Sequence, residues 1–62
     1  MCESTVFVRR GGKEELLAED VARVVPEAGE VRVVTLLGDE HRVRGRILDV
    51  DLMAHRIVLE EA

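Results

Sequence analysis

A chain of 62 residues with a single cysteine forms one domain, cannot make an internal disulfide, and at this size is only marginally stable unless a metal or a partner chain adds to its core. Its net charge of -4, from 13 acidic and 9 basic side chains, argues against phosphate-backbone binding as its main business, and Phe7 as the sole aromatic residue offers no platform for stacked bases. No stretch approaches a membrane span or the apolar core of a signal peptide, which together with the lone thiol implies a reducing cytoplasm and no membrane partner.

Residues 1–9, MCESTVFVR, alternate, placing Cys2, Ser4, Val6 and Val8 on one side and Glu3, Thr5 and Phe7 on the other, as a first strand does. Arg10-Gly11-Gly12-Lys13 is a tight turn, and residues 14–18 pair back as a second strand. Residues 13–25, KEELLAEDVARVV, also contain good helix formers with apolar positions at 16, 17, 21, 24 and 25. The strand reading is preferred because the turn joins this segment to a clear strand and a helix would have to end abruptly at Pro26. Residues 20–25 are a third strand or a continuation of the second, ended by the turn Pro26-Glu27-Ala28-Gly29.

Residues 31–59, VRVVTLLGDEHRVRGRILDVDLMAHRIVL, form the half around which the rest closes: a long hairpin followed by one more strand. With Gly38, Asp39 and Glu40 as the loop, Leu37 pairs with His41, Thr35 with Val43, Val33 with Gly45 and Val31 with Ile47, which gathers the apolar members on one face. The other face carries Arg32, Arg42, Arg44 and Arg46 beside Val34 and Leu36. Beyond Ile47 the alternation slips by one residue, because Leu48, Val50 and Leu52 continue the apolar set with Asp49 and Asp51 between them. Such a slip marks a bulge or corner, for which Gly45 supplies backbone freedom, and Ile57 and Leu59 then return inward. The expected architecture is all-β: one small barrel over residues 1–62, of SH3-like or Sm-like size, built from about five or six short antiparallel strands. Apolar side chains on both faces, as at Val6-Phe7-Val8, Leu16-Leu17 and Val33-Val34, exceed what one small barrel hides and predict a homodimer.

Cys2 is the residue with the most chemistry. A lone cysteine is often a small buried apolar group, but one at a chain end is only partly covered and has nitrogen donors nearby. With Met1 removed, the α-amine and thiolate of one residue can chelate; with Met1 retained, its amine or backbone amides are within reach. Thiolate with nitrogen suits Ni(II) or Cu(II), and two-fold symmetry would bring a second Cys2 to a shared metal. His41 and His55 read as exposed loop histidines without chelating spacing, and Asp49 with Asp51 reads as a solvated strand face rather than a hard-cation site. No phosphate-cradling glycine loop is present and no base accompanies Ser4, so no enzyme is expected. The arginine strip suggests an RNA-contacting or protein-interaction surface as the alternative to cross-strand pairing with carboxylates, although nucleic acid is not the expected partner.

The opening Met1-Cys2-Glu3-Ser4-Thr5-Val6, the strand-rich body, and the close through Gly45-Arg46-Ile47 and His55-Arg56-Ile57-Val58-Leu59 resemble the CooT family of small nickel-binding accessory proteins for carbon monoxide dehydrogenase maturation. Members of that family are also labelled predicted RNA-binding proteins. The resemblance implies a metallochaperone that binds Ni(II) through Cys2 at a homodimer interface, with a nickel enzyme as client.

Overall fold

The alternating segments become strands that close on themselves. The computed structural model describes residues 3–62, in which β1 (Ser4–Arg10), β2 (Lys13–Glu27), β3 (Glu30–Thr35), β4 (Glu40–Asp51) and β5 (Arg56–Glu61) form a closed barrel in chain order. Each strand runs antiparallel to the one before it, so with five strands β1 and β5 point the same way. Their seam is therefore parallel, with Val6 opposite Ile57 and Val8 opposite Leu59. The expected antiparallel pairing holds for the other four seams. Among the described residues, closure leaves no free sheet edge to template aggregation.

Not all the strands are short. β2 has 15 residues and β4 has 12, and each is shared between two neighbours. β2 pairs with β1 up to Val21 and with β3 from Val21 onward, so that the segment weighed as a helix is wholly extended and residues 20–25 continue the second strand. Pro26 does not end the strand but pairs with Val31 near its end. β4 pairs with β3 up to Arg44 and with β5 from Gly45 onward.

Corners make this sharing possible. At Asp20 the backbone takes a positive φ of +53°, and three residues from Ala18 to Val21 are spanned where β1 advances only from Val6 to Ser4. Asparagine and aspartate tolerate that conformation better than other side-chain-bearing residues. At Gly45 φ is +147°, and a Cβ built there would lie 1.8 Å from the Glu60 carbonyl oxygen, so only glycine permits the strand to turn this closely over β5. The anticipated slip follows as a bulge at Leu48, between the pairs Ile47–Leu59 and Asp49–Val58.

The core is largely valine. Val6, Val8, Val21, Val31, Val33 and Val43 are buried with Ala18 and Leu59, and Leu17, Val24, Ile47 and Ile57 pack against them. Stiff β-branched side chains suit a barrel interior this narrow because they have little rotamer freedom to lose. Val50 and Leu52, expected to continue the core, are instead 48% and 77% exposed. By Asp51 the chain pairs with Arg56, the first residue of β5, and is already leaving the barrel.

The central hairpin keeps its faces but not its register. Val31 lies opposite Val43 and Val33 opposite His41, rather than Ile47 and Gly45 respectively in the expected register. The loop is residues 36–39, beginning two residues earlier and ending one earlier than expected, and is closed by Thr35: its N–H donates to the Asp39 carbonyl at 2.9 Å, its carbonyl accepts from Gly38 at 3.0 Å, and its Oγ1 accepts from Asp39 N–H at 3.1 Å. The difference between the two registers is even, so the same residues face inward.

Candidate functional site

Strand pairing fixes where β1 begins. Ser4 lies opposite Val21, Val21 lies opposite Thr35, and Thr5 lies opposite Arg56. The chain therefore enters β1 between two loops, residues 36–39 and residues 52–55. Thr5 N–H donates to the His55 carbonyl at 2.9 Å, tying the start of β1 to the second loop. Cys2, the predicted metal ligand, lies outside the described residues, two positions before Ser4 in sequence.

The loops at this end carry exposed apolar side chains. Leu37 is 93% exposed, Met53 92% and Leu52 77%, with Leu36 and Val50 about half covered and Leu16 similarly exposed on β2. Of the residues that make up the apolar surplus in the sequence, Leu16 is exposed, whereas Val6, Val8 and Val33 are buried and Leu17 and Val34 half-buried. Phe7 is also half-buried, with the Arg56 guanidinium 4.5 Å from its ring centroid.

The histidines separate. His55 sits in the 52–55 loop with a positive φ of +56° and is exposed, as expected. His41, expected in a loop, is a half-buried β4 residue opposite Val33, because the loop ends at Asp39 and β4 already begins at Glu40. Among the described residues no group of three or more histidine, cysteine, aspartate or glutamate side chains gathers around a common point. Asp49 and Asp51 are both exposed, and Asp51 Oδ1 accepts the Ala54 N–H at 3.0 Å, which makes it a turn residue.

The arginine strip is cross-strand paired. Arg32 and Arg42 lie directly opposite one another, and one Glu40 oxygen serves both, at 3.7 Å and 3.1 Å. Arg42 also reaches Glu30 at 3.1 Å, Arg32 reaches Glu27 at 3.5 Å, and Arg46 reaches Glu60 at 2.8 Å. The hydrogen bond Arg42 donates to Glu30, followed by the nearby charge of Glu40, raises the Arg42 guanidinium above its ordinary pKa. Arg44 takes no part in these pairs. A strip neutralised in this way has little charge left to release counterions from a polynucleotide. Filter binding should accordingly show no salt-sensitive affinity for oligouridine, whereas binding that tightens at low salt and is lost in Arg44→Ala would reinstate a nucleic-acid role. Arg42→Ala, which breaks only exposed pairs, is expected to leave the urea midpoint almost unchanged.

Comparison with known proteins agrees with this architecture. A family model described as CO dehydrogenase accessory protein CooT matches residues 1–60. An uncharacterized protein of Archaeoglobus fulgidus is 48% identical over 42 residues, covering 68% of this chain and 93% of the relative. A crystal structure assigned to CooT from Carboxydothermus hydrogenoformans superposes with a TM-score of 0.85 at 31% identity, covering 98% of each chain.

Proposed function

The chain belongs to the CooT family of CO dehydrogenase accessory proteins, and from that membership we propose that it is a cytoplasmic homodimer that binds Ni(II) as cargo through Cys2 and delivers it to a nickel enzyme under assembly. The observation that carries this reading is the position of the only cysteine, two residues before β1, inside the family-matched segment. A thiolate flanked by amine or amide nitrogens is a donor set suited to Ni(II). One chain supplies one thiolate, so a tight site requires the Cys2 of a second chain across a two-fold axis. Exposed Leu52 and Met53, on the loop bonded to the start of β1, support a partner chain at this end. The role asks for no catalytic residue, and the protein is proposed to act by binding alone.

Equilibrium dialysis tests this reading. Native protein should retain Ni(II) with a thiolate-to-nickel charge-transfer band in the near ultraviolet, and retention should weaken as pH is lowered because the thiol must give up its proton. Cys2→Ser should lose the band and the tight site while its far-ultraviolet circular dichroism is unchanged. Undiminished retention in Cys2→Ser would overturn the assignment.

A further inference from the structure

Beside the hairpin loop, where β2 turns its corner, lies an open cleft of about 400 Å³, a volume within the range of ligand sites. Its apolar wall is Ala18, Leu36 and Leu37, and its acidic rim is Glu19, Asp20 and Asp39. Two features separate this rim from the other carboxylates of the barrel. First, among the described residues all eight salt bridges are made by other carboxylates; the rim's three are uncompensated, as are Glu3, Asp49 and Asp51, but the rim's three share one cleft with an apolar wall. Second, the rim is built in place before anything binds. The Asp20 carbonyl, at the strained corner, accepts the Leu36 N–H at 2.8 Å, while Thr35 holds Asp39 from the other side. A preformed wall reduces the ordering cost of docking.

We propose that this cleft docks a basic segment of a partner protein, with a lysine or arginine stem lying along Leu36, Leu37 and Ala18 and its cationic head among Glu19, Asp20 and Asp39. Long cationic side chains combine an apolar stem with a charged head, the two properties the cleft presents side by side. A second copy of this chain is the poorer occupant. An isologous contact on this face would set the three carboxylates of one protomer against the same three of the other, in a chain whose net charge is already -4. The inference does not depend on nickel or on Cys2.

Fluorescence anisotropy with a labelled peptide of repeated Lys-Leu tests the assignment, with Glu-Leu and Gly-Ser peptides of equal length as controls. The Lys-Leu peptide should bind, more weakly as salt rises, and the Glu-Leu and Gly-Ser peptides should not. The pair Glu19→Gln with Asp39→Asn should raise its Kd about tenfold, Leu37→Ser should raise it comparably, and Cys2→Ser should leave it unchanged. Amide shifts in a ¹H–¹⁵N titration should centre on Leu36, Leu37 and Asp39, and circular dichroism should confirm that each variant is folded. Absence of binding, equal binding of the Glu-Leu peptide, or an unaltered Kd in folded cleft variants would overturn the proposal. So would sedimentation showing that Leu37→Asp splits a homodimer, since a second copy would then cover this face.

Discussion

Gly45→Ala is expected to leave the chain largely unfolded. The new methyl carbon would lie 1.8 Å from the Glu60 carbonyl oxygen and 2.9 Å from its carbon, both backbone atoms that no rotamer change can move aside. Relief would require separating β4 from β5 at the corner, where Gly45 N–H meets the Gly29 carbonyl and Ala62 N–H meets the Arg44 carbonyl. Loss of those bonds with the adjoining packing places the cost above about 4 kcal/mol, comparable to the whole stability, roughly 5 kcal/mol, available to a small domain. Gly38→Ala separates this clash from backbone strain. Gly38 also has a positive φ, +95°, but a Cβ there meets nothing within 4 Å, so only a strain cost of about 1 kcal/mol is expected. Urea unfolding followed by circular dichroism should show a clear cooperative transition for Gly38→Ala and none for Gly45→Ala. Similar midpoints for the two would contradict the corner's role.

Leu59→Ala is the second large effect. Leu59 is the largest fully buried side chain, and it stands opposite Val8 across the parallel seam and opposite Ile47 across the antiparallel one. It therefore fills the place where closure joins the first strand to the last. Truncation to alanine should destabilise by about 2–5 kcal/mol, with values at the upper end if the stiff valines around it do not collapse into the space. Val50→Ala, on the same β4–β5 ladder but 48% exposed, should cost far less. A Leu59→Ala midpoint close to that of Val50→Ala would place the core elsewhere.

Those two residues also show what could be read without coordinates. Leu59 and Gly45 are legible because period-two alternation names the inward residues and a lone glycine in a strand marks a close backbone approach. The hairpin register was not legible. It depends on how Thr35 closes its loop, a local hydrogen-bond choice between two pairings that sort the faces identically. The corner at Asp20 left a trace, since the inward residues Ala18 and Val21 are three apart where alternation demands two. A helical period absorbs that spacing equally well, which hid the bulge. The cleft at that corner was beyond the sequence, because Glu19 in the middle of β2 and Asp39 in the β3–β4 loop are brought together only by the β2–β3 pairing. Cys2 was visible at once as the only thiol, but in the proposed dimer the second thiolate comes from another chain, which no pattern within one chain specifies.

Native mass spectrometry of Ni(II)-loaded protein tests the central claim most directly, because it counts chains and metal in the same particle. The account predicts a two-chain species carrying one nickel ion, and a metal-free two-chain species in Cys2→Ser, since the barrel faces that join the chains do not depend on the thiol. A single chain holding its own nickel, or a two-chain species that keeps one nickel after Cys2→Ser, would contradict it.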